Sequence, residues 1–180
     1  MRVTSLKPLA AIMVEMARSG LERLTWGDAD NLAADAAVAK AWGSDSYVDL
    51  TAEAVQLHGG AGYIKDYGVE QDLRDAKIFS IYEGTNHIQS MDLVARKLGQ
   101  RGGANTQALL AEITSFCEQH AGDAQLGPSV AQLQSAAESL VGCVMRFMSW
   151  SGEGKLALVA SFANRFLELM SEVVVGYLLL

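Results

Sequence analysis

Residues 31–60 read NLAADAAVAKAWGSDSYVDLTAEAVQLHGG, and this stretch decides the fold. Leu32, Ala36, Ala39, Trp42, Leu50, Ala54 and Leu57 recur at helical spacing and show no strand-like alternation. Gly59 and Gly60 supply a C-terminal stop, so the spacing predicts one long helix over residues 31–57. Towards the N-terminus, Leu9, Ile12, Met13, Met16, Ala17, Leu21 and Leu24 recur at threes and fours. They predict a helix over residues 6–24, with residues 25–28 as a turn. Towards the C-terminus, four glycines among residues 58–68 mark a loop, followed by a short helix at 69–77 and an extended piece at 78–82. Asn86 and Gln89 have capping-box spacing and predict a helix running to Leu98. Residues 99–105, with Gly102 and Gly103, read as a linker. Three more helices follow. The first carries Leu109, Leu110, Ile113, Phe116 and Cys117. The second has Pro128 in its first turn and Val130, Leu133, Ala137, Leu140, Val141, Val144 and Met148 along it. Gly152 and Gly154 break it before a third, which carries Leu156, Val159, Phe162, Phe166, Leu169, Met170 and Val173. The expected fold class is all-α, an antiparallel helical bundle with short connections.

Composition narrows the function. The 180 residues are 50% hydrophobic and 19% charged, which excludes a disordered chain and supports a substantial core. A net charge of −7 argues against nucleic-acid binding, which needs a basic surface. Cys117 and Cys143 form no CxxC and read as reduced, which with no signal-peptide pattern points to the cytoplasm. The apolar run at residues 173–180 is too short to span a bilayer. Met145 and Met148, like Met13 and Met16, read as core, and Trp26, Trp42 and Trp150 as packing residues. His120 reads as exposed.

Generic motif searches find little. His58, Gly59, Gly60, Ala61 and Gly62 complete neither a P-loop nor GxGxxG, and they follow a helix rather than a strand. Glu83 and His87 are four apart but make a poor metal pair, and no metal ligand set is expected. The unusual feature is Tyr82-Glu83-Gly84-Thr85. Glu83, between apolar residues and a glycine, is either a desolvated base or a carboxylate satisfied by N–H groups at a helix start. Pattern alone favours the second.

Several motifs nevertheless occur together in order. They are the run from Ala54 to Tyr63, then Val69-Glu70, then Leu73-Arg74-Asp75-Ala76-Lys77-Ile78, then Ile81-Tyr82-Glu83-Gly84-Thr85-Asn86, then Ile88-Gln89. This series strongly resembles the C-terminal helical domain of the acyl-CoA dehydrogenases, most densely from Lys40 to Leu98. Ser90-Met91-Asp92-Leu93 and Arg96-Lys97-Leu98 are similar to the larger bacterial branch, the 3-methylmercaptopropionyl-CoA dehydrogenase-like enzymes with an added C-terminal helical extension. The resemblance divides the chain into a dehydrogenase C-terminal domain at 1–98 and an incomplete extension at 99–180.

The resemblance implies an FAD-dependent oxidoreductase that turns an acyl-CoA into its 2,3-enoyl-CoA. Glu83 matches the base that removes the α-proton, and Gly84 the residue that lets acyl-CoA pass close to the backbone. Thr85, Asn86 and His87 match a segment beside the flavin. Gln56, Leu57, His58, Gly59 and Gly60 match one that touches the ADP part of a flavin held by a neighbouring subunit. A homo-oligomer and an electron-transfer acceptor are implied as partners. The sequence departs from the family at Gln71, where a Lys or Arg is usual, and at His87, where Gln or Gly is common. Arg74 and Asp75 read as ion-pair anchors of the short helix. The family's N-terminal domain and flavin-holding β-domain have no counterpart in these residues, so the isolated chain is expected to be inactive. The run at 173–180 is expected to be an exposed apolar edge that drives oligomerisation. A non-catalytic interaction module, or a subunit that completes its flavin site with a separately encoded partner, are the alternatives.

Overall fold

The computed structural model describes residues 32–180. The helix expected at 6–24, the turn at 25–28, Trp26 and the Met13 and Met16 pair lie outside the described residues. Among the described residues the chain is helical throughout, with no strand. Helix α1 is Leu32–His58, and two short 3₁₀ turns, Gly59–Tyr63 and Lys65–Tyr67, lead to α2, Val69–Ile78. Helix α3 is Asn86–Asp92 and continues into one π-turn, Leu93–Lys97. Three long helices follow: α4 (Ala104–His120), α5 (Gly127–Gly152) and α6 (Leu156–Leu179).

Residues 78–82 do not form the expected extended piece. The N–H groups of Ile81 and Tyr82 both donate to Ile78 O, at 2.9 and 3.0 Å, so a tight turn closes α2. Local carbonyls outweigh the preference of isoleucine and tyrosine for extended backbone. The cap of α3 is shifted by one residue from the expected box. Thr85 Oγ1 accepts from Ile88 N–H at 3.2 Å, and the Gln89 side chain reaches back to Glu83 O at 3.3 Å.

A single core runs through the described residues. Val38 from α1, Leu93 from the π-turn, Ile113 from α4, Val130 and Leu140 from α5, and Met170 and Val173 from α6 are all buried within it. Residues 99–105 hold a 3₁₀ turn at Gln100–Gly103 that delivers α4 onto the same core. Trp42 and Trp150 pack against that core as expected, Trp150 between Phe147 and Phe162. Arg74 pairs with Glu70 at 2.8 Å, whereas Asp75 accepts a hydrogen bond from Gln71. Cys117 and Cys143 are free thiols. No helix among the described residues is long and apolar enough to cross a membrane.

Three expectations about surface and core are corrected. Met145 and Met148 are 62% and 65% exposed. Phe147 takes the core position two turns after Leu140, and a neighbour one residue on is turned about 100° away. The C-terminal run is mostly packed rather than bare: Val173, Val174 and Val175 are buried. Tyr177 meets Phe116 edge to face and donates to Glu112 Oε1 at 2.9 Å. Leu179, near the end of the run, stays exposed. His120 is half-buried, its ring 4.6 Å from that of Phe116.

The π-turn is clasped by charge. Asp92 accepts from Arg96 Nε at 2.7 Å and pairs with the buried Lys97 at 3.2 Å. Hydrogen bonding to Arg96, aided by Lys97, holds the Asp92 carboxyl below the usual aspartate range. Its contribution is complete above the ordinary aspartate pKa and is lost as pH falls through the lowered native one. Asp92→Asn should cost about 2 kcal/mol in urea denaturation near neutral pH, leaving Lys97 buried without its carboxylate. The difference from wild type should vanish in acid, and equal midpoints at neutral pH would refute the clasp.

Gly62 is a second pressure point. A Cβ there would lie 2.6 Å from Val55 O and 2.8 Å from His58 Cβ, whereas one at Gly60 meets nothing within 4 Å. Gly62→Ala should lose about 1–3 kcal/mol by overpacking. Gly60→Ala should be near neutral, and thermal melts that rank the two variants the other way would contradict this packing.

Candidate active site

The turn between α2 and α3 holds Glu83 in a backbone conformation with φ +54°, one of two non-glycine residues with positive φ among those described. The other, Arg101, lies in the turn before α4. Such a conformation costs a residue with a Cβ about 1–3 kcal/mol and persists only where its surroundings impose it. Gly84 follows at φ +79°, and an added Cβ would meet Gln89 Nε2 at 3.1 Å. Gly84 is thus required by the turn itself, whatever passes beside it.

Side chains grip the turn from outside. Gln89 Nε2 donates to Glu83 O, and Lys40 Nζ donates to Gly84 O at 2.7 Å. Lys40 also donates to Asn86 Oδ1 at 2.8 Å. The Nδ2 of Asn86 donates to Ser44 Oγ at 2.9 Å and to Asp45 Oδ1 at 2.8 Å. Burial lowers the pKa of Lys40 from the usual lysine value, and the nearby Asp45 carboxylate partly restores it.

Beside this turn lies a cavity of about 400 Å³. Ala39, Lys40, Gly43, Ser44 and Tyr47 line one wall, all from one face of α1, and Phe79, Tyr82 and Glu83 line the other. The rings of Tyr47, Phe79 and Tyr82 contact one another in sequence, with centroids 6.0 and 5.6 Å apart. The arrangement presents one carboxylate at the edge of an aromatic, largely apolar hollow. The Glu83 side chain is exposed, so the described residues do not supply the desolvation raised by its sequence neighbours.

The other expected site residues fall into separate places. Thr85 caps α3, and Asn86 N–H is taken by Ser80 O at 3.3 Å. The Asn86 side chain is committed to α1 and His87 turns towards α6, its Nδ1 3.1 Å from Asn164 Oδ1. His87 faces a cleft of about 330 Å³ between α1, α3 and α6, with Asp45, Asp49, Glu168 and Glu172 around it. No group of three potential ligands among the described residues is placed to hold a metal.

Gln56, Leu57, His58, Gly59 and Gly60 sit exposed at the far end of α1. His58 Nδ1 donates to Ala54 O at 2.8 Å, which leaves Nε2 as the outward nitrogen. Added Cβ atoms at Gly59 and Gly60 meet nothing within 4 Å, so this backbone can be approached closely from outside. From Lys40 to His58 is eighteen residues of one helix, about 27 Å at a rise of ~1.5 Å per residue. The fold therefore does not bring this segment together with Glu83. Sequence reading missed Lys40, a lone cation on an alanine-rich stretch, and Gly62, hidden among glycines of other roles.

Comparison with known proteins agrees with this architecture. Residues 9–99 match the model of the acyl-CoA dehydrogenase C-terminal domain, and residues 109–180 that of the acetyl-CoA dehydrogenase C-terminal-like family. The broad-specificity linear acyl-CoA dehydrogenase FadE5 of Mycobacterium tuberculosis is 34% identical over 150 residues, 79% of this chain and 24% of that protein. Butyryl-CoA dehydrogenase of Syntrophomonas wolfei is 32% identical over 141 residues, 78% of this chain and 23% of that one. The crystal structure of Caenorhabditis elegans ACDH-11 in complex with C11-CoA superposes with a TM-score of 0.69 at 20% identity, over 94% of this chain and 29% of that one. The chain spans about a quarter of the length of these curated relatives. Its helical order and its matched sequence place it in the acyl-CoA dehydrogenase family.

Proposed function

We propose that this chain supplies the base-bearing helical part of an FAD-dependent acyl-CoA dehydrogenase, with Glu83 as the catalytic base. The observation that carries this reading is Glu83 itself, held at positive φ on the rim of an apolar cavity, where the family's base motif falls. Strain that neighbouring side chains impose on a carboxylate beside a hollow is a feature of functional sites.

In this reading the cavity receives part of the acyl chain, and Tyr47, Phe79 and Tyr82 orient it by apolar contact. The Glu83 carboxylate takes the α-proton of the thioester, an acid weak enough to need an aimed base. The Glu83 N–H is then available to the thioester oxygen as negative charge develops there. The chemistry that FAD would supply at this site is acceptance of the β-hydrogen as hydride, its electrons then going to a separate acceptor.

The open backbone at Gly59 and Gly60, together with the outward Nε2 of His58, fits the ADP part of such a group. Thr85 would lie beside the flavin from the cap of α3, with Asn86, held to α1, and His87, bonded through Nδ1 to Asn164, next to it. The ~27 Å between the two segments supports their serving two different flavins in an assembly of like subunits. The exposure of Glu83 favours a site completed and dried by further protein, whether on the same polypeptide or a separate one. The division at residues 98 and 99 is part of this proposal.

Three outcomes test it. The purified chain, given acyl-CoA, FAD and an electron-acceptor dye, should show no turnover, and measurable dehydrogenation would overturn its dependence on further protein. The chain should support dehydrogenation when fused in place of the matching segment of the Syntrophomonas wolfei butyryl-CoA dehydrogenase. Glu83→Gln in that fusion should lower kcat by about 10²–10⁴-fold with flavin absorbance retained. An unchanged kcat would remove Glu83 as the base.

A further inference from the structure

Building on the reading of Glu83 as the base, we propose that Lys40 is the positioning residue of the Glu83 turn. From α1 it bonds the Gly84 carbonyl and the Asn86 amide oxygen, and so holds Glu83 in its left-handed conformation at the cavity rim.

The geometry assigns this role to Lys40 rather than to its neighbours. The two acceptors lie 44 and 46 residues along the chain from Lys40, so the contact joins two elements rather than decorating one. Both bonds are short and carry the ammonium charge, which makes each stronger than a neutral bond. The other side-chain grip on the turn, Gln89 to Glu83 O, is neutral and longer at 3.3 Å. Thr85 acts on the helix that follows and leaves the carbonyls of Glu83 and Gly84 alone.

Returning Glu83 to negative φ would swing the peptide groups after it and carry Gly84 O away from α1. The ammonium opposes that swing directly. It also fixes a distance, because Lys40 lines the same cavity as Glu83 and the aromatic wall. Ser44 and Asp45, one turn further along α1, hold the Nδ2 of Asn86 and keep its Oδ1 facing Lys40. The lysine thus joins the wall of the cavity to the carboxylate at its edge.

The test uses the whole 180-residue chain and needs neither flavin nor acyl-CoA. Backbone couplings of isotope-labelled Glu83 report its φ, and amide exchange reports the mobility of residues 83–86. In Lys40→Met, Glu83 should lose its positive-φ couplings, and these amides should exchange about tenfold faster or more, while the Ile113 and Leu140 amides keep their protection. Lys40→Arg, which keeps a charged donor, should restore the couplings. A Lys40→Met protein that retains the positive-φ couplings would overturn the proposal.

Wild type gives a second reading, independent of whether any variant folds. The Lys40 ammonium protons should be protected from solvent exchange and show a through-bond coupling to the Gly84 carbonyl carbon. An ammonium in free exchange would overturn the proposal equally. Because these readouts concern conformation alone, their failure leaves Glu83 as a base untouched. A fusion enzyme indifferent to Glu83→Gln would likewise leave the Lys40 geometry standing.

Discussion

The amide of Asn86 is the joint on which both the architecture and the candidate site depend. Its oxygen accepts from Lys40, and its nitrogen donates to Ser44 and Asp45, all from α1. A half-buried polar group satisfied in both directions costs little to enclose, and is costly to leave if one partner is lost. Asn86 is also the first residue of α3, so the same bonds that dock the helix fix where the preceding turn must end. The strained Glu83 sits three residues before it, within that constraint.

A helix of seven residues is marginal on its own, and α3 persists because every turn of it is tied down. Thr85 caps its start, Asn86 pins it to α1, and Ser90 is fully buried and hydrogen-bonded to Asn164 of α6. Leu93 then enters the core, and the π-turn brings Lys97 back towards Asp92. The second half of the chain contributes to this directly: α6 supplies Asn164 and packs against α1, α3 and the π-turn. What reads in sequence as an appended extension shares the core that positions the site.

The helices were legible because apolar spacing reports helical periodicity, and on α4, α5 and α6 most of the spaced residues face the core. On α1 the buried face is instead Ala37, Val38 and Ala41, and Leu57 is exposed. Where the reading slipped, the cause was tertiary. Met148 has helical spacing from core residues, but Phe147 fills the space against Phe166 and leaves the methionine outside. Residues 78–82 look extended by residue type, yet their N–H groups close a turn. Of the candidate site, Glu83 and the glycines could be picked out in the sequence because each breaks a local pattern. Lys40 could not, because a lysine on a helix is ordinarily solvated, and only the fold brings Gly84 O and Asn86 within its reach. The distance between residues 56–60 and Glu83 was implicit in the length of α1, though nothing in the motif order requires it.

A base that removes a weakly acidic proton has two requirements, aim and dryness, and they need not come from the same place. Aim is conformational. In this chain it follows from a positive φ at Glu83, the conformation allowed at Gly84, and two anchored carbonyls, all of them local or one helix away. Dryness is dielectric: it raises the pKa of a carboxylate and strengthens every charge interaction around it, and it requires something to cover the group. The Glu83 side chain is exposed and its cavity opens between α1 and the α2–α3 turn, so the covering surface is not among the described residues. In the proposed enzyme the two requirements are thus divided. The helical chain fixes the direction of the carboxylate before any substrate arrives, and the cover determines when it becomes a strong base. Such a division keeps a strained, aimed glutamate harmless in water and confines its reactivity to the assembled, substrate-filled site.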